Sequence, residues 1–410
     1  MLDTAGDNVG SNGLYSRMVM TTPATPRSIE AMAAHLMEIL RHQEAWHPIV
    51  LRAHEELAGW AGLDLPLRHG GTAWRAADMA LLFRLCGRRD AELRDLLGAG
   101  HARLLALAPT RRFDLLLRAV ARSAAYCAIA VTEPDVGSDL CALATIARPV
   151  DGGYVLDGTK QYISRINECT HFIVFAAVKR ATKNPSITAF LVSRDAAGLE
   201  TEPMRPSGLG AVAWGRVFLR QVNIPVASRI GGEGQGLSLF RRHFCYWRTM
   251  MAALAIGSAQ AAIDQTAARM KTRHAFGGPI GRFSHLQQAI AHWIARLRMA
   301  WLLVENVADQ IDAYVWPVTD AAMVKAEALE AAIGATEWAM TVFGGAGYDA
   351  ATGLEKRHRD LLGLRIADGT TDVLRSQVAR AFLGERLYEL SLNRSPTGEH
   401  GGDTQSRRIW

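Results

Sequence analysis

Long apolar runs are missing from this chain of 410 residues, and none approaches the roughly 20 that cross a bilayer. Cysteine is scarce. Cys86, Cys127, Cys141, Cys169 and Cys245 are scattered, odd in number and never spaced as CxxC. That pattern argues against a disulfide framework and a zinc site, and fits reduced thiols in a cytoplasmic protein. The first 25 residues have no basic start followed by an apolar block, so a secretory signal is not expected. No segment repeats at a period of about 20–50 residues, which argues against a solenoid. Runs of one charge sign are lacking too. The net charge is +6, but basic residues alternate with acidic ones, and nucleic acid is not expected as a partner. A mildly basic surface instead suits a polyanionic small molecule, such as a dinucleotide or coenzyme A, or an acidic carrier protein.

What is present is the composition of a globular enzyme, 49% apolar and 21% charged, with length enough for two or three packed domains. Residues 1–27 read as a flexible arm and 391–410 as a flexible tail. Residues 28–128 read as helical, rich in Ala, Leu and Arg. Leu81, Leu82 and Leu85, and Leu105 and Leu107, fit amphipathic helices, interrupted near His69-Gly70-Gly71. Over residues 129–236 the texture becomes short β-rich runs. Asp151-Gly152-Gly153 predicts a hairpin, and Phe172–Val178 and Ile187–Val192 read as buried strands. Helical texture returns over residues 237–390, where Leu237–His274, Leu286–Tyr314 and Thr319–Val342 exceed ordinary helix length, as in a bundle. The class is therefore α+β.

Four segments carry chemistry. The first is Thr132-Glu133-Pro134-Asp135-Val136-Gly137-Ser138-Asp139, and the second Asp157-Gly158-Thr159-Lys160-Gln161-Tyr162-Ile163-Ser164. The third is Arg273-His274-Ala275-Phe276-Gly277-Gly278-Pro279, and the fourth joins Phe343-Gly344-Gly345-Ala346-Gly347-Tyr348 to Ala367-Asp368-Gly369-Thr370-Thr371-Asp372. In this order and spacing they resemble the acyl-CoA dehydrogenase flavoproteins over about residues 129–380. The resemblance implies an N-terminal α-helical domain, a middle β-barrel domain and a C-terminal four-helix bundle. It also implies FAD bound between the last two and against a second subunit, in a homotetramer or homodimer.

Residue types agree with those implied roles, although a polar turn, a packed aromatic or a helix-ending glycine turn would use the same residues one at a time. The Thr132 and Ser138 hydroxyls and the open Gly137 backbone suit a flavin edge and a phosphate. By resemblance, Tyr162 packs on the flavin face away from substrate and Ser164 donates near N5. The Arg273 guanidinium suits a pyrophosphate, with Phe276, Gly344 and Gly345 beside it on a neighbouring subunit. Thr370 and Asp372 complete the cofactor set. Neither the Gly344-Gly345-Ala346-Gly347 loop nor the glycine-rich Gly231–Gly236 follows a strand in a βαβ unit, so a dinucleotide-binding Rossmann site is a poor reading.

The resemblance makes Asp368 the base that takes an α-proton from an acyl thioester, with the Gly369 segment in the oxyanion site and Arg248 lining the pocket. The family carries Glu where this chain has Asp368, an arm shorter by one methylene. Some members move the Glu to the position before Arg248, filled here by Trp247. Three readings follow: dehydrogenation of an acyl thioester on coenzyme A or a carrier protein; a flavin oxidase like nitroalkane oxidase, in which Asp is the base; or a non-catalytic flavin-binding partner subunit. The acceptor would be an electron-transfer flavoprotein or oxygen. Arg375, seven residues on, would suit an ion pair with Asp368.

Overall fold

A computed structural model describes residues 26–384, except 42–46, 53, 58, 181 and 182. The expected arm and tail fall mostly outside these residues. Helices α1 (Pro26–Arg41), α2 (Pro48–Arg52), α3 (Ala76–Arg89), α4 (Arg103–Ala106) and α5 (Asp114–Ala121) come first, joined by short 3₁₀ turns. Strands follow: β1 (Cys127–Ala130), β2 (Ile146–Val150), β3 (Gly153–Ser164), β4 (His171–Arg180), β5 (Lys183–Ser193), β6 (Leu199–Met204), β7 (Trp214–Pro225) and β8 (Arg229–Ile230). Long helices α6 (Gly236–Thr272), α7 (Ser284–Asp312) and α8 (Val318–Phe343) then pack with α9 (Leu354–Ile366) and α10 (Thr371–Leu383). A small ribbon of β9 (His274–Ala275) and β10 (Gly278–Pro279) separates α6 from α7. Among the described residues, no helix is long and apolar enough to cross a membrane.

The strands form one sheet in the order β6-β7-β3-β2-β4-β5-β8, with β1 beside β4. Since β6 and β8 end that order, the expected barrel is an open one. The predicted hairpin forms: Val150 pairs with Gly153, and Gly152 takes φ +73° in the turn. Strand β4 is apolar from Phe172 to Val178 because both its faces are covered there. Phe172, Val174, Ala176 and Val178 enter the core within the sheet domain, whereas Ile173, Phe175 and Ala177 meet the N-terminal helices.

Helices α3 and α6 cross so closely that side chains are excluded. A Cβ at Gly257 would stand 1.9 Å from the Arg84 carbonyl oxygen, and one at Gly87 would stand 2.2 Å from that of Leu254. Helix α8 presents Ala321, Ala328, Ala332 and Ala335 to the same core as Ala252, Ala255 and Ala259 of α6, so small side chains let the two long helices approach. Leu361 and Leu364 bury α9 in that core. Leu374 seats α10 on Ala322 and Ala326. These contacts fix the short connector between α9 and α10.

Candidate active site

Asp368 lies in that connector. Ala367 caps α9, with its N–H bonded to the Gly363 carbonyl at 3.0 Å, and Thr370 caps α10 by accepting from the Val373 N–H at 3.3 Å. Between the caps the backbone turns left-handed, at φ +61° for Asp368 and +101° for Gly369. A helix end leaves carbonyls without intrahelical partners, and two buried cations collect them here. Arg248 of α6 donates from Nε to the Asp368 carbonyl at 2.9 Å and from Nη1 to Gln377 Oε1 at 3.4 Å. Lys325 of α8 donates from Nζ to the carbonyls of Gly369 at 2.6 Å and Arg365 at 3.3 Å, and to that of Ala367.

Burial lowers the Arg248 guanidinium below its ordinary value, and Asp368 offsets part of that. Burial also brings the Lys325 ammonium down to about 7, with Asp368 opposing and Arg248 reinforcing the shift. The half-buried Asp368 carboxylate itself accepts no hydrogen bond from the described residues. Arg375 does not reach it. That guanidinium holds Glu327 Oε1 from Nε at 3.0 Å and Nη2 at 2.8 Å, so the expected ion pair with Asp368 gives way to a partner on α8. Asp372 is exposed in the first turn of α10.

Trp247, beside Arg248, is buried. Its ring meets His101 at 4.8 Å and Phe83 edge-on at 6.3 Å. The His101 and His243 rings share a hydrogen bond of 3.0 Å behind it.

A second cluster gathers at β3. A bulge between Lys160 and Ile163 puts Tyr162 at φ +62° and leaves its ring 48% exposed, stacked on Trp214 with centroids 5.2 Å apart. Ser164 is the strand partner of Trp214. The Gln161 N–H bonds to the Thr132 carbonyl at 2.8 Å, so half-buried Thr132 lies beside Tyr162. Gly137 and Ser138 are exposed on the loop that follows. Beneath this surface the buried Lys160 ammonium bonds to Glu133 Oε1 and the Val131 carbonyl, each at 2.8 Å. Glu133 also accepts from the N–H groups of Ala144 at 2.6 Å and Thr145 at 2.9 Å. The first two motifs are thus bolted together by the Glu of one and the Lys of the other.

A third group stands at the far end of the bundle. Arg273 is exposed, and Phe276 is 88% exposed at φ +52°. Gly344 and Gly345 are exposed just past α8. Arg269 joins the α6 and α8 ends, donating to the Phe343 carbonyl at 3.0 Å and lying over its ring at 4.6 Å. Sequence reasoning passed over Lys325, Trp214 and Arg269, and gave no role to Lys160 and Glu133 within their motifs. The signal for Lys325 was available: Ala321, Lys325, Ala328 and Ala332 fall at helical spacing on one apolar face.

Residues 128–222 match the acyl-CoA dehydrogenase middle domain, and residues 234–383 match the acyl-CoA dehydrogenase C-terminal domain. Together the matches span more than half of the chain, and the chain belongs to the acyl-CoA dehydrogenase family. It is 28% identical to an L-prolyl-[peptidyl-carrier protein] dehydrogenase of Pseudomonas fluorescens over 79% of this chain and 87% of that one. It is 34% identical to the mitochondrial short-chain specific acyl-CoA dehydrogenase of Bos taurus, over 62% of each chain. Among solved structures, a FAD complex of PigA superposes with a TM-score of 0.79 at 24% identity, over 88% of this chain and 99% of that one.

Proposed function

We propose that this protein dehydrogenates an acyl thioester, with FAD as the cofactor and Asp368 as the base. The observation that carries the reading is the Asp368 turn. Its backbone is held by two buried cations, while the carboxylate accepts no hydrogen bond from the described residues. A base that must take a proton from carbon gains from such fixed backbone and an uncommitted carboxylate. Asp368 would take the α-proton onto a carboxylate oxygen. The N–H groups of the Asp368–Gly369 turn would face the negative charge that develops on the thioester oxygen. The electron pair of the broken α-bond then forms the double bond as hydride leaves the β-carbon. Bound FAD supplies the acceptor for that hydride.

The residues present suit that cofactor. An exposed aromatic platform of Tyr162 on Trp214 stands beside the hydroxyl groups of Thr132 and Ser164, with Gly137 and Ser138 on the adjoining loop. A cation and open backbone at Arg273, Phe276, Gly344 and Gly345 would serve the FAD of a second copy, in a homodimer or homotetramer. The Thr370 hydroxyl is taken up by its helix cap, so its share of cofactor binding, like that of Asp372, would come through position at the α10 start. The acyl group would ride on coenzyme A or a carrier protein in the cytoplasm. The prolyl-carrier relative supports the second carrier and the short-chain relative the first. An electron-transfer flavoprotein or oxygen would reoxidise the flavin.

Anaerobic titration of the flavin-loaded protein with acyl thioesters tests the reading. The flavin should bleach with a thioester, fail to bleach in Asp368→Asn and bleach slowly in Asp368→Glu. Bleaching by nitroalkanes alone would reassign the protein to an oxidase. Flavin binding without reduction by either would favour a non-catalytic partner subunit.

A further inference from the structure

We propose that Lys325 is a positioning residue for this reaction: its buried ammonium ties the carbonyls of Arg365, Ala367 and Gly369 together and so aims the Asp368 side chain. The proposal rests on Asp368 being the base. Among the described residues, Lys325 forms no ion pair. All three of its hydrogen bonds go to backbone oxygens, and they bracket Asp368 on both sides. The residue is 1% exposed on an α8 face otherwise made of apolar side chains, Ala321, Ala328, Leu329 and Ala332. A lysine of no consequence would be expensive to keep there, because an isolated buried ammonium loses its hydration for neutral acceptors alone.

The geometry also divides the labour. Arg248 enters from α6 and holds the carbonyl of Asp368 itself, between the Ala367 and Gly369 carbonyls that Lys325 holds. Lys325 enters from α8 and holds the carbonyls around it. Two long helices packed through small residues therefore grip successive carbonyls of a four-residue connector whose central residues are left-handed. Neither cation hydrogen-bonds to the carboxylate, so the hydrogen bonds by which they position Asp368 all run to the backbone of the turn. Without the Lys325 tie, the last turn of α9 and the Gly369 carbonyl lose their common anchor. The connector is then free to rotate the carboxylate off the α-carbon, and misplacement by about an ångström costs on the order of a hundredfold in rate.

The test compares wild type with Lys325→Met, Lys325→Gln and Lys325→Arg in the flavin-loaded protein. In Lys325→Met, amide hydrogen exchange over residues 365–371 should accelerate at least about tenfold, with peptides from the middle of α6 unchanged. The kcat for an acyl thioester should fall about a hundredfold while KM moves by less than about threefold. Lys325→Arg, which retains cationic donors, should recover part of both effects. Lys325→Gln gives the same comparison if the methionine variant does not fold. Wild-type exchange over 365–371 in a folded Lys325→Met or Lys325→Gln protein would overturn the tie, whatever the reaction proves to be. Faster exchange with unchanged kcat would leave Lys325 a helix cap and overturn the positioning role. Full activity in Asp368→Asn would instead overturn the choice of base, and the exchange result would still stand by itself.

Discussion

Arg248 holds Asp368 by its backbone and not by its carboxylate: Nε donates to the Asp368 carbonyl oxygen at 2.9 Å. The contact fixes where the side chain starts without occupying the oxygens that would take a proton. Losing it leaves a part-buried carbonyl unpaired and the buried space of the guanidinium unfilled, a loss of about 1–3 kcal/mol. Arg248→Met should therefore lower the unfolding free energy by that order and kcat on the order of a hundredfold. Arg375→Ala should do neither. Its half-exposed pair with Glu327 is worth less than about 1 kcal/mol, and its loss should leave the pH profile of kcat in place. Denaturant titration and a kcat–pH profile of the two variants check both statements.

The Lys160–Glu133 pair should behave as a structural bolt. Burial pushes the Glu133 carboxyl up, but Lys160 and the Thr145 and Ala144 donors outweigh it and leave it below its ordinary value. Lys160, in turn, is lowered by burial to about 8 against the pull of Glu133. Lys160→Met leaves a buried carboxylate uncompensated and should destabilise the protein by about 3–5 kcal/mol. Adding Glu133→Gln should restore part of that. Denaturant unfolding of the single and double variants measures the recovery.

The aromatic platform gives a binding prediction. Trp214 supports the exposed Tyr162 ring from behind, and such pairs contribute about 0.5–1.5 kcal/mol beyond area burial. Trp214→Ala should raise the Kd for FAD by roughly twofold to tenfold, read from flavin fluorescence during titration of the apoprotein. Trp214→Phe should recover most of the loss.

Acid stability should report on the His101–His243 pair. Burial lowers His101 well below its ordinary value, helped by Arg165, His243 and Arg94. It lowers His243 to about 3, helped by Arg103. Below about pH 6.5 the unfolded chain binds protons that the folded chain refuses, so stability present above that pH drains as pH falls toward 3. Each ring contributes a slope of at most about 1.4 kcal/mol per pH unit. His243→Gln should make the fall between pH 6.5 and 4 shallower by about one ring's share, seen in denaturant midpoints across that range.

Much of the fold was legible because its signals are local. Apolar spacing gave α6, α7 and α8 to within a few residues, and Asp151-Gly152-Gly153 announced the β2–β3 hairpin. Asp368 was singled out by the four motifs taken in order. What holds Asp368 was not, because Lys325 lies 43 positions away and Arg248 lies 120 away, as the sequence numbering counts them. Only the α6–α8 packing brings them together. Arg375 looked like a partner because it is near in sequence, yet α10 turns its side chain toward Glu327. Trp214 was invisible for a similar reason: strand register, set by a bulge, decides which residue stands behind Tyr162.

The left-handed backbone at Asp368 bears on why this chain carries the shorter acid. Asp and Asn occupy that region several-fold more readily than most other side chains, a preference on the order of 1 kcal/mol. Glu has no comparable ease there. At φ +61° the residue is thus asked for two things that conflict, a comfortable main chain and a long arm. This protein has settled for comfort. With Asp368 as the proposed base, the substrate would have to come to the acid, and an Asp368→Glu enzyme would trade torsional ease for reach.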